Sequence, residues 1–70
     1  MRVIVIQIPG NTSVVFKKVI EMSEWLKEQG LTHIKHYDYA IFYSYHEAHF
    51  RFYDEHESMG SLFALKWAPI

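Results

Sequence analysis

Hydrophobic and polar positions along this chain switch between two periods. Arg2 to Ile8, RVIVIQI, is a β-branched run without helical spacing, closed by the turn signal Pro9-Gly10. It predicts a strand. Because nearly every position is apolar, it predicts a central strand covered on both faces. From Asn11 to Leu31 the period becomes helical. Val15, Val19, Met22 and Leu26 fall at i, i+4, i+7 and i+11, and Phe16, Ile20 and Trp25 widen the stripe. Asn11, Thr12 and Ser13 offer N-cap oxygens for orphan backbone N–H groups. Gly30 suits the left-handed position after a helix, with Leu31 then contacting Leu26 in a Schellman motif.

HYDYAIFYSY (36–45) and EAHFRFY (47–53) have strand composition and follow so closely that a hairpin turning near Tyr45-His46-Glu47 is expected. DEHESMGSLFALKW (54–67) opens with Asp54 and Glu57 at capping-box spacing. Met59, Leu62, Phe63 and Lys66 continue it as a helix, Gly60 allows close approach to the sheet, and Ala68-Pro69 ends it. The residues beyond could add a short edge strand. The order is β-α-β-β-α in a single domain, 1–70. This predicts an α+β fold, a ferredoxin-like split βαβ with two helices on one face of a three- to four-stranded sheet.

Side chains alternate along a strand, so parity assigns faces. Ala48, Phe50 and Phe52 form a uniformly apolar row and are expected in the core, leaving Glu47, His49, Arg51 and Tyr53 on the open face. In the preceding strand Ala40 and Phe42 are expected to join the core, with Tyr37, Tyr39, Ile41, Tyr43 and Tyr45 displayed. The opposite parity turns the tyrosine row inward and exposes His36, Asp38 and Ser44, a pattern a surface also tolerates.

Composition narrows the use of that surface. Seventy residues without Cys have neither disulfide nor thiolate zinc site to staple them. With hydrophobic residues at 50% and aromatics at 17%, the stabilising element is a dense aromatic core, an oligomer, or both. A net charge of −1 is no polybasic footprint and disfavours nucleic acid. The apolar start breaks off too early, at Gln7 and Pro9, for a signal peptide or a membrane span, so a soluble cytoplasmic protein is expected.

Three uses of an aromatic open face follow. A protein interface is favoured, through self-association or a protein partner, because Tyr, Phe and Arg are enriched in interface cores. Its candidate residues are Tyr37, Tyr39, Ile41, Tyr43, Tyr45, His49, Arg51 and Tyr53. Single-stranded nucleic acid, read by base stacking, is the second reading. Against it, EAHFRFYD lacks the Gly and places Glu47 and His49 where stacking aromatics of an RNA-recognition motif would lie. A catalytic pocket is third, with no nucleophile–base pair in view and no Gly-rich phosphate loop around Pro9-Gly10-Asn11-Thr12-Ser13. No cofactor is implied. His33/His36 and His46/His49 are H-x-x-H pairs, but within a hairpin that spacing sends the rings of His46 and His49 to opposite faces, so no metal is expected. Rim histidines would still make the surface sensitive to pH.

Phe50 to Trp67, FRFYDEHESMGSLFALKW, resembles the C-terminal signature of small accessory proteins of tailed bacteriophages. In these an aromatic strand, an Asp and a short helix lead into a Phe-x-Leu-x-Trp ending. Phe50, Phe52, Asp54, Phe63, Leu65 and Trp67 carry the likeness. It implies a phage protein acting in the host cytoplasm by binding and modulating a host protein, and it carries over no catalytic residue.

Overall fold

The computed structural model describes residues 1–68. Strand β1 (Arg2–Gln7) leads into helix α1 (Thr12–Glu28), followed by β2 (Tyr37–Phe42), β3 (Glu47–Phe52) and helix α2 (Glu57–Trp67). Short 3-10 turns at Tyr43–Tyr45 and Asp54–His56 join the later elements. The sheet order is β1-β3-β2 with both pairings antiparallel. β1 and β2 therefore flank β3, and α1 connects them as in the ferredoxin-like split βαβ that the pattern predicts. The expected terminal edge strand falls on residues 69–70, outside the described residues.

Among the described residues β1 is an edge strand, not the central strand its composition predicts. Its apolar run arises from two different faces. Ile4 and Ile6 are buried in the core, while Val3 and Val5 stand on the opposite face and are exposed. High apolar content on both parities says that two faces are apolar; it says nothing about a strand's neighbours in the sheet.

α1 follows its sequence signals closely. Asn11 caps it, its side chain accepting from the Val14 N–H at 3.0 Å. Val15, Val19, Met22 and Leu26 are the buried stripe. Phe16 and Ile20, expected to widen it, are exposed, and Trp25 packs against the core from its rim. At the C-terminus the Leu31 N–H bonds Leu26 O and the Gly30 N–H bonds Lys27 O, both at 3.0 Å, with Gly30 at φ +89°. These are the paired bonds of a Schellman motif.

α2 departs from its predicted start. Asp54 and Glu57 do not form a capping box; both instead hold the N-terminal amine of Met1, with Glu57 Oε2 at 2.6 Å. The helix begins after His56 without a side-chain cap. Gly60 is buried where a Cβ would lie 3.2 Å from Arg2 Cδ and 3.4 Å from Phe52 Cδ2, so the small residue sets how closely α2 approaches β1 and β3.

Both helices contribute to one core on one side of the sheet. Phe63 of α2 packs on Phe50 and Phe52 at centroid distances of 4.6 and 5.4 Å, beside Ile4, Ile6 and Ala48 and the α1 stripe. Burying each such Phe contributes about 1.5–3 kcal/mol. The other side of the sheet is covered by no described element.

Candidate functional site on the open sheet face

Strand register decides what this face carries. Tyr37, Tyr39 and Ile41 of β2 stand opposite Phe52, Phe50 and Ala48 of β3. Directly opposed residues share a face, so these three point to the core with their partners. Tyr37 is 2% exposed, and Tyr39 and Ile41 pack against the core from its margin. The expected display of Tyr37, Tyr39 and Ile41 is thus overturned, and β2 has the opposite parity. Asp38, Ala40 and Phe42 take their place, opposite Arg51, His49 and Glu47.

Tyr43 and Tyr45 lie beyond the strand, in the 3-10 turn of the hairpin. They are exposed, Tyr45 at 71%, but they belong to the loop end rather than to a strand row. His46 closes this turn in the left-handed conformation, φ 56°. His49, Arg51 and Tyr53 are where the alternation places them, on the side away from the buried Ala48, Phe50 and Phe52.

Cross-strand rows organise the face. Val3, Arg51 and Asp38 form one; Val5, His49 and Ala40 the next; Gln7, Glu47 and Phe42 the last. Polar groups in the outer rows pair with one another. Arg51 Nε donates to Asp38 Oδ1 at 2.6 Å, and the Tyr53 hydroxyl donates to Asp38 Oδ2 at 3.2 Å. Gln7 Nε2 donates to Glu47 Oε2 at 2.6 Å, and His49 Nε2 lies 3.1 Å from Glu47 Oε1. The His49 contact, helped by Gln7, holds the Glu47 carboxyl below its ordinary range. Burial and the neighbouring Asp38 charge push the Tyr53 phenol up. The apolar side chains of the face lie on the two flanking strands, on either side of Arg51, His49 and Glu47: Val3 at 49% and Val5 at 44% exposure on β1, and Ala40 and Phe42 on β2, Phe42 at 41% with its ring 4.5 Å from that of His49.

Val3, Val5, Asp38, Ala40 and Phe42 were not among the residues expected on this face. The signal for the β2 parity is Asp38. It shares parity with Ala40 and Phe42, so turning those two inward would have buried a carboxylate beside Phe50 and Phe52 at a cost no partner there offsets.

Elsewhere the histidines settle into local packing. His33 stacks on Tyr39 at 4.8 Å. His36 and His56 lie 4.4 Å apart, with His36 Nδ1 accepting the Thr32 N–H at 2.8 Å. Burial, then His56 and Lys35, lower the His36 pKa. Among the described residues no three His, Asp or Glu side chains converge to hold a metal ion. A crevice of about 320 Å³ opens between α1 and the chain after it, walled by Ile20, Lys27, Leu31, His33 and Tyr37. No described helix is long and apolar enough to cross a membrane.

No family model, curated protein or solved structure matches this chain.

Proposed function

We propose that this domain is a non-enzymatic protein-interaction module whose open sheet face docks onto a protein partner. One observation carries the reading. Val3 and Val5 on β1 and Ala40 and Phe42 on β2 leave apolar surface uncovered on both sides of β3, while Asp38, Arg51, Glu47 and His49 already have hydrogen-bond partners within the domain. Covering such a face costs less than covering unpaired charges would, because Asp38, Arg51 and Glu47 keep their hydrogen-bond partners under a protein surface. A domain of this size gains proportionately from covering an apolar patch. Single-stranded nucleic acid is the less supported alternative. With Tyr37 and Tyr39 turned inward, only Phe42 and His49 remain as strand-borne rings on the face. The likeness of residues 50–67 to phage accessory proteins makes a host protein the partner class to try first.

Affinity capture with mass spectrometry tests this, comparing the unmodified protein with Phe42→Asp and Val5→Asp. Leu65→Asp, on the most exposed apolar side chain of α2, is the control. A partner captured by the unmodified protein and the control, and lost from both face variants with circular dichroism unchanged, is the expected result. Equal capture by all four rejects the face. Quenching of intrinsic fluorescence by a single-stranded oligonucleotide, abolished by Phe42→Asp, would move the reading to nucleic acid.

A further inference from the structure

A backbone feature points to a second interaction that does not use the open face. The Ile8 N–H bonds His46 O at 2.7 Å, in register with the β1–β3 ladder. In an antiparallel pair a residue directs both its N–H and its C=O to the same neighbour, and alternate residues point to opposite sides. Ile4, Ile6 and Ile8 therefore serve β3. The N–H and C=O groups of Val3, Val5 and Gln7 point away from it, to the outer edge of β1. No described element pairs with that edge.

Edge strands of solitary domains are blunted by Pro, Lys, bulges or short length. β1 has none of these. From Val3 to Gln7 it is uncharged, continuous and free of Pro and Gly. Its single charge, Arg2, is at the end and is engaged by the Ser61 hydroxyl. The strand is also self-complementary. Antiparallel pairing with its own copy about Val5 places Val3 opposite Gln7 and Arg2 opposite Ile8, so no like charges meet. Every outward N–H from Val3 to Gln7 then finds a carbonyl on the other copy.

We infer that two copies of this chain associate through their β1 edges, Val5 against Val5, to form one continuous sheet. The two open faces become coplanar, and Val3 and Val5 of both copies merge into a single apolar strip. The pairing is isologous and closes as a dimer, since each copy uses the same edge. It uses backbone groups and stands apart from partner docking by the face.

Amide hydrogen exchange of the ¹⁵N-labelled protein as a function of concentration, with mass from light scattering, tests the inference. The expected result is that the Val3, Val5 and Gln7 amides gain protection by roughly tenfold or more as the dimer forms, whereas Ile4, Ile6 and Ile8 are protected throughout. A dimer in which Val3, Val5 and Gln7 still exchange freely overturns edge pairing in favour of face contact. A monomer at every concentration up to millimolar overturns it outright. Val5→Pro removes the central donor without breaking a β3 bond, so it should be monomeric with Ile4, Ile6 and Ile8 still protected. If that variant fails to fold, the exchange pattern of the unmodified chain decides alone.

Discussion

Asp38 and Arg51 stand opposite one another on β2 and β3, joined by a 2.6 Å charge-assisted hydrogen bond on the open face. Both are partly exposed, so their coupling is that of a cross-strand surface pair, about 0.2–1 kcal/mol. A double-mutant cycle with Asp38→Asn and Arg51→Gln, read by urea unfolding, should return a coupling in this range that shrinks in high salt. A coupling of zero would mean that the pair organises the face without stabilising the fold.

Gly30 offers a clean test of backbone conformation. Its φ is +89°, and a Cβ there would meet nothing within 4 Å, so Gly30→Ala carries conformational cost without steric clash. Stability should fall by about 1–2 kcal/mol, as a shift in the urea midpoint with unchanged slope. Gly30→Asn should lose less, because Asn tolerates the left-handed region.

His36 makes folding sensitive to mild acid. Its Nδ1 accepts from Thr32, its ring faces His56, Lys35 adds like charge, and only Glu55 favours protonation. The folded-state pKa is lowered from 6.5, so the unfolded chain takes up the proton first. The stability His36 contributes is therefore complete above that value and is lost as pH falls through it toward the folded pKa. Melting temperature should decline over this window, and His36→Asn, which keeps an acceptor for Thr32 without titrating, should flatten the decline. NMR titration should place His36 below 6.5. An unaltered slope in His36→Asn would assign the acid sensitivity to other groups.

The elements that were legible in the sequence had polar contrast between their faces. Val15, Val19, Met22 and Leu26 were set against charged neighbours, and Ala48, Phe50 and Phe52 against Glu47, His49 and Arg51, so period alone assigned them. β2 has that contrast at one position alone, Asp38, since Tyr37, Tyr39 and Ile41 compete with Ala40 and Phe42 for the same core. Its parity is fixed through the hairpin: the 3-10 turn and the left-handed His46 span the connection and bring Phe42 opposite Glu47. Turn geometry sets register, and no Asn-Gly or similar signal announced it. The edge position of β1 was likewise invisible, because lateral order depends on which strand β3 returns beside. Asp54 and Glu57 misled for another reason: their spacing suits a cap, but the free amine of Met1 folds back within reach and offers a full charge instead of a backbone N–H.

That last contact bears on how the protein is handled. The Met1 amine is held above its ordinary pKa by Asp54 and Glu57, which share it at the start of α2. Any tag fused ahead of Met1, any acetyl cap or a retained formyl group turns the amine into a neutral amide. Two carboxylates would then face each other without a counter-charge, beside the strand whose outer edge is in question. A label for binding or exchange measurements that leaves this amine free keeps the cation that ties the first residue to the second helix.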